Sequence, residues 1–255
     1  MFGQSGVKLN CAMKILTVNT WGTYGPYEKR WGCLMDELKR LLPDILFLQE
    51  VTTPELLNKI AQSIQLPFTC SSREAGLSLM SRFPLESTRV LKFNATSPTE
   101  HDDRRALVTN VTNGIKKIPL ANTHLSWKPE DESIRLHQVR ELLKSLMDHR
   151  ERGILAGDFN DAAGSSVIQE VENAGFVNVS QLKSPQGPMI TWDNQNPFIQ
   201  THSVKFPDRQ IDFLFLHENL FERTTVKTCE IVCDRPNSEG LFPSDHYGLL
   251  AEIEI

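Results

Sequence analysis

Short apolar runs rich in β-branched residues alternate along this chain with longer stretches whose apolar positions recur every three to four residues. The first rhythm predicts buried strands and the second amphipathic helices. "KILTVNT" (14–20) reads as the first strand. "YEKRWGCLMDELKRLL" (27–42) follows as a helix with Trp31, Leu34, Met35, Leu38, Leu41 and Leu42 on one face, ended by Pro43. "DILFLQE" (44–50) is a second buried strand, and "PELLNKIAQSI" (54–64) a helix opened by proline. "AGLSLMSRFPL" (75–85) and "STRVLKF" (87–93) read as strands joined by a turn, and "NATSPTEHDD" (94–103) as an exposed loop. "RRALVTNV" (104–111) and "KKIPLANTHL" (116–125) flank an Asn113-Gly114 turn, a hairpin signal.

The later chain repeats the alternation. "EDESIRLHQVRELLKSLMDH" (130–149) is the longest helix, with acids at its start where the helix dipole favours them. "GILAGDF" (153–159) is a strand, and "SSVIQEVENAG" (165–175) a helix closed by Gly175. Residues 181–208 are rich in Pro, Gln, Asn and Thr and predict a long ordered loop. "QIDFLFL" (210–216) and "HYGLLAEIEI" (246–255) are late strands. Parallel order early and hairpins later point to two mixed sheets packed face to face, with helices outside. Residues 1–12 read as a short tail and 13–255 as one domain, with Met13 a candidate functional start.

Composition narrows the picture modestly. Of 255 residues, 40% are hydrophobic and 23% charged, the range of a globular domain rather than a membrane protein or a disordered one. No apolar stretch is long enough to span a bilayer. Cys11, Cys33, Cys70, Cys229 and Cys233 are odd in number and never spaced C-x-x-C, which argues against a disulfide framework and a structural zinc site. A reducing cytoplasm is the expected compartment, and a monomer the expected state. The net charge of −5, without a basic stripe, excludes a protein that coats long nucleic acid. A nucleic-acid end remains open as a substrate.

Chemistry enters at the strand ends. Asn19 follows "ILTV", Glu50 follows "ILFLQ", His124 follows "IPLANT", and Asp158 and Asn160 follow "ILAG". Asp212 sits inside "QIDFLFL", and Asp245 and His246 precede the last strand. Each has an ordinary reading: Asn19 caps a turn, His124 is a core histidine, Asp212 pairs with Arg209, "SDH" is a turn. Together they form a set, because charge beside a buried strand is costly unless paired or metal-bound. Carboxylate oxygens suit a hard ion such as magnesium, with manganese an alternative. Asn, His and the arginines Arg104 and Arg105 can bind phosphate oxygens, and an Asp can orient or deprotonate water. The set suits in-line displacement at phosphorus, where positioning and charge neutralisation supply most of the rate.

The ordered series "VNTWG", "LQEV", "NTHL", "GDFN", "RQIDFLFL" and "PSDHYGLL", spanning 14–255, resembles the endonuclease/exonuclease/phosphatase superfamily. The resemblance implies a four-layer α/β/β/α sandwich and a magnesium-dependent phosphoester hydrolase, above all a phosphodiesterase. It makes Glu50 the main metal ligand, with Asn19 and Asp245 close by. Asp158 would handle the attacking water, helped by Asn160. His246 would donate to the scissile phosphate, held by Asp212. His124 would contact phosphate, and Arg105 is the chosen arginine for the same task. Asp161, next in the series, reads as a helix-entry residue. Several members carry N-x-D-G in the first motif, whereas this chain has Trp21 in place of that acid.

Branch features divide. "TWDNQN" (191–196) is similar to tyrosyl-DNA phosphodiesterases and implies that Trp192 lines a substrate groove; the alternative is a packing tryptophan. The Asp161-Ala162 pair stands where that branch has a basic residue, and "NTWG" is similar to sphingomyelinase-like members. Phospholipid hydrolase, small-molecule phosphatase and non-catalytic binding relative are the alternative functions.

Overall fold

The computed structural model describes residues 12–100, 103–112, 117–147, 153–183, 187 and 189–254. Two six-stranded sheets stack face to face. The first has the order β11-β12-β1-β2-β4-β3, built from β1 (Ala12–Asn19), β2 (Ile45–Gln49), β3 (Phe68–Ser72), β4 (Leu77–Ser81), β11 (Thr225–Val232) and β12 (Gly248–Glu254). The second has the order β5-β6-β7-β8-β10-β9, from β5 (Leu85–Lys92), β6 (Arg105–Thr112), β7 (Lys117–His124), β8 (Ile154–Asp158), β9 (Phe176–Asn178) and β10 (Asp212–His217). Each sheet has one parallel pair, β1–β2 and β7–β8, and is otherwise antiparallel. The parallel pairs are joined through α1 (Tyr27–Leu41) and α3 (Glu132–Met147), as a parallel connection requires.

Strand alternation divides the core into layers. Ile15, Ile45 and Phe47 face the opposite sheet, where they meet Leu107, Leu120, Ala156 and Leu214. Leu16, Val18, Leu46 and Leu48 face outward onto Trp31, Leu34, Leu38 of α1 and Leu56, Ile60 of α2 (Pro54–Ser63). On the other side Ala121, Leu155, Phe213 and Phe215 meet Val139, Leu142 of α3 and Val167, Ile168, Val171 of α4 (Ser166–Asn173). The expected four-layer sandwich is therefore present. Strands buried on both faces read as continuous apolar runs, which is why these central ones stand out in the sequence.

The parallel pairs end together. Asn19 lies beside Gln49, and His124 and Asp212 each lie directly opposite Asp158. Below this edge Gln49 Nε2 donates to Asn122 Oδ1 at 2.7 Å, tying one sheet to the other. Gly157 permits the close approach of β7 and β8: its φ is +139°, and a Cβ there would lie 2.0 Å from the Thr123 carbonyl oxygen. Only glycine fits, so the residue before Asp158 sets how tightly His124 and Asp158 are drawn together.

Several expectations need correction. Leu42 is not on the buried helical face; it closes α1 in a left-handed conformation (φ 49°) and is 53% exposed. The strands at 75–85 and 87–93 do not form a hairpin, because β4 and β5 belong to different sheets. β1 already begins at Ala12, where Ala12 pairs with Glu254. β3, β9, β11, α5 (Val179–Lys183) and α6 (Glu218–Phe221) were not foreseen. The Asn113-Gly114 turn lies outside the described residues. Among the described residues Cys33, Cys70, Cys229 and Cys233 are free thiols. Among the described residues no helix is long and apolar enough to cross a membrane.

Candidate active site

The strand ends open into a cleft of about 730 Å³. Of the residues singled out from the sequence, Glu50, His124, Asp158, Asn160, Trp192, Asp245 and His246 line it. Asn19 and Asp212 lie directly beneath, each fully buried.

Asn19 is the hub. Its Nδ2 donates to Glu50 Oε1 and to Asp158 Oδ2, both at 3.0 Å, and its Oδ1 accepts from the Trp21 backbone N–H at 3.0 Å. Its carbonyl accepts from Ser244 Oγ at 2.7 Å, which anchors the Asp245-His246 turn against β1. One amide therefore holds both sheets' carboxylates in place, more than a turn cap would do.

Asp212 does not pair with Arg209. Its Oδ2 accepts from His246 Nδ1 at 2.9 Å, leaving His246 Nε2 3.8 Å from Asp158 Oδ2. Burial opposes a charge on His246, but Asp212, Asp245 and Asp158 outweigh it and push its pKa well above the ordinary value. His124 is the opposite case: burial, with Arg104 and His246 nearby, drives its pKa well down, so it stays neutral. Its Nε2 is 3.4 Å from Asp158 Oδ2. Asp158 is pushed up to about 7, first by burial and then by Asp212, against the opposing pull of His246 and hydrogen bonds from Asn19 and Asn160. A carboxylate so placed can take a proton near neutral pH. Asn160 supports it from the backbone, where its N–H donates to Asp158 Oδ1 at 2.9 Å while its side chain holds the Leu125 carbonyl.

Two groupings can attract a cation. Asp158, Asp212 and His246 bring ligand atoms within 4.8 Å of one another, but the imidazole there is hydrogen-bonded and favours its charged form, which suits a cation poorly. Glu50 and Asp245 offer oxygen only. Burial and then the Asp245 charge raise the Glu50 pKa, a repulsion that a hard cation between them would remove. The donor chemistry fits a divalent ion of the magnesium type at Glu50.

Backbone strain concentrates here. Trp21 (φ 53°), Glu50 (φ 58°) and Asn160 (φ 52°) adopt left-handed conformations that non-glycine residues seldom take. Such strain persists where the surroundings fix it, typically at functional sites.

The structure reassigns some of the residues read from the sequence and brings in others that strand-end reading missed. Arg104, not Arg105, lines the cleft; Arg105 points between the sheets, opposite His124, and pairs with Glu74. Asp161 is no helix-entry cap, because Ser165 caps α4 and Asp161 binds Arg135 at 2.8 Å. Trp21 forms part of the cleft wall with His202 (ring centroids 5.9 Å apart) and packs on Phe198 (4.9 Å). His202 Nε2 lies 2.8 Å from Asp245 Oδ2, making a second histidine–aspartate pair. Arg30, fully buried, donates to the carbonyls of Thr20, Trp21, Gly22, Tyr24 and Pro243. Its signal was present: it sits one turn before Leu34 on the apolar face of α1, where a charge is out of pattern.

A two-sheet sandwich thus gathers carboxylates, histidines and an asparagine at one set of strand ends. The chain belongs to the Endonuclease/Exonuclease/phosphatase family, whose model matches residues 16–246. It is 30% identical to "Tyrosyl-DNA phosphodiesterase 2" of Xenopus laevis, over 94% of this chain and 66% of that protein. It is 26% identical to "Probable CCR4-Not complex 3'-5'-exoribonuclease subunit Ccr4" of Vairimorpha ceranae, over 64% of this chain and 38% of that protein. The chain thus spans about two-thirds or less of these curated relatives. In fold it matches D. rerio TDP2 complexed with single strand DNA product, with a TM-score of 0.77 and 22% identity, covering 96% of this chain and 99% of that one.

Proposed function

We propose that this chain is a magnesium-dependent phosphodiesterase that hydrolyses an ester at a nucleic-acid end by in-line attack of water. The observation that carries the reading is the connected set Glu50–Asn19–Asp158 with His246–Asp212, joined by hydrogen bonds of 2.9 to 3.0 Å across the two sheets. Glu50 would hold the divalent cation, magnesium or manganese, with Asp245 and Asn19 beside it; bound there, the ion would supply charge neutralisation at the phosphate oxygens. Asp158 orients the water and takes its proton, kept in place by Asn19 and Asn160. His246, protonated and oriented by Asp212, donates to a phosphate oxygen where negative charge grows. His124, neutral, donates a second hydrogen bond to the phosphate. Trp192, 7% exposed and edge-on to His246 with ring centroids 5.1 Å apart, lines the groove.

The tyrosyl-DNA phosphodiesterase relatives favour a DNA end over a phospholipid. Tyr24 is the one exposed large apolar side chain at the cleft among the described residues; Leu42, Phe68, Val90 and Leu182 lie elsewhere. A lipid-binding rim would need more. The direct test is a panel of a 5′-tyrosyl oligonucleotide, sphingomyelin vesicles and a small phosphomonoester, each with and without magnesium. Hydrolysis of the first alone, and only with magnesium, is the expected result; preference for either of the others would overturn the substrate assignment.

The cation site has its own prediction. Millimolar magnesium should raise the thermal midpoint of the wild type, because a ligand bound to the folded state stabilises it. Glu50→Gln should remove that rise. Without metal the variant should unfold no earlier than the wild type, since burial and Asp245 already disfavour the Glu50 carboxylate. A magnesium-induced rise that persists in Glu50→Gln would take the metal away from Glu50.

A further inference from the structure

Trp192 and Arg209 face each other in an isolated antiparallel bridge, each backbone N–H donating to the other's carbonyl at 3.0 Å. Directly opposed residues present their side chains to the same face, and both line the cleft. The bridge fixes where Arg209 emerges, and the ring of Phe206, 3.8 Å from its guanidinium carbon, supports it from one side.

What Arg209 lacks is a polar partner. No hydrogen bond or ion pair to a described residue holds its side chain, and its buried Nε is unsatisfied, as is the buried Nε1 of Trp192. Of the neighbouring arginines, Arg104 is engaged by Glu100 at 2.7 Å, Arg105 by Glu74, and Arg135 by Asp161 at 2.8 Å, while Arg73, also at the cleft, is exposed rather than half-buried. Holding a half-buried guanidinium without a partner is costly; burial indeed draws its pKa down, opposed by the charges of Asp158 and Asp161. Its charge is thus felt on the Asp158 and Asp161 side of the cleft, whereas Glu50 and His124 feel Arg104.

A planar guanidinium left open in a cleft matches a phosphate group, which it can bind in bidentate fashion. The phosphate under attack is already served by Glu50, His124 and His246. We propose that Arg209, positioned by its bridge to Trp192, binds a second phosphate group of the substrate, the one adjacent to the phosphate being hydrolysed. This rests on the phosphodiesterase reading. It makes the enzyme a reader of a strand that continues beyond the reacting end, rather than of an isolated ester.

The test compares nitrophenyl esters that share a leaving group: the 5′-ester of a mononucleotide, of a tetranucleotide, and of a nucleoside diphosphate. The quantity read is the ratio of kcat/KM for each longer substrate to that for the mononucleotide. Arg209→Met should lower the tetranucleotide ratio by about tenfold or more, and reduce the salt dependence of its binding by about one unit of slope. Arg209→Lys should recover part of both. A drop in the diphosphate ratio instead would support the second-phosphate site but assign it to a polyphosphate rather than a strand. Unchanged ratios would overturn it. So would a lowered thermal midpoint in Arg209→Met, which would mark a structural role; removing an unpaired buried charge should leave the midpoint level or raise it. If the wild type hydrolyses none of the three, the phosphodiesterase reading fails. The binding site is then decided by fluorescence titration with the tetranucleotide: weaker binding in Arg209→Met sustains it, equal binding overturns it.

Discussion

Replacing Asp158 by Asn is expected to lower kcat by about three orders of magnitude or more, while the protein stays folded. The change is isosteric and preserves one oxygen for the amide of Asn19, which donates at 3.0 Å, while its NH2 replaces the oxygen that accepts from the Asn160 backbone N–H. What it removes is the base. His246→Ala should cost about as much, because it removes the donor oriented by Asp212. The double variant should be little worse than either single one, since groups that act as a unit in one transition state do not contribute additively. Single-turnover rates on a nitrophenyl phosphodiester at saturating magnesium provide the measurement. Rates within tenfold of wild type in both single variants would end the proposed mechanism.

The pH profile is a further check on the same residue. With the Asp158 pKa pushed up to about 7, the active base form is lost as pH falls. The rate should therefore rise with pH, pass half its maximum near that value and level off about one unit above it. A bound cation favours the ionised carboxylate and moves this limb to lower pH. The limb should be absent in Asp158→Asn.

Arg30→Met is expected to destabilise the fold by more than about 4 kcal/mol, the range reached when a buried hydrogen-bond network is broken. The Arg30 side chain is wholly buried, and its donors hold five backbone carbonyls. Burial draws its pKa down to about 10, so it remains charged at neutral pH. Methionine fills similar space but leaves the carbonyls of Thr20, Tyr24 and Pro243 without a donor, while Trp21 and Gly22 keep the Tyr24 N–H and the Trp31 indole N–H; each orphaned carbonyl carries its own desolvation cost. Lysine keeps the charge but cannot fan out over five acceptors. Urea unfolding gives the number, and a loss below about 1 kcal/mol would show that water replaces the guanidinium without penalty.

Legibility followed burial. β1, β2, β8 and β10 are buried on both faces and appear in the sequence as unbroken apolar runs. Three of the four edge strands do not, whereas β5 is marked by its Val90 and Leu91. β3 reads "FTCSS" and is largely exposed, and β9 has three residues. β11 carries a bulge between Val226 and Thr228 that breaks the alternation a strand would show. The site was legible for the same reason as the central strands: a polar residue that ends an apolar run is conspicuous. Asn19, Glu50, His124 and Asp158 meet at one edge because the register aligns them. Arg104 and Arg105 could not be told apart, since adjacent residues differ only in which face the strand gives them. His202 and Arg209 come from the irregular stretch before β10, where no periodicity marks a residue as turned inward.

Arg30 has a counterpart. Arg135, likewise in the first turn of an outer helix and likewise buried, donates to the carbonyls of Ser126 and Lys128 and to Asp161. Each rim of the cleft therefore hangs from a helix on the far side of its own sheet. Neither loop can swing outward until the first turn of α1 or α3 lets go. Amide hydrogens of residues 20–22 and 125–126 should consequently exchange on the timescale of global opening rather than of loop motion. An enzyme built this way selects substrates by a shape it holds before they arrive, and on heating it should lose its activity and its helices together.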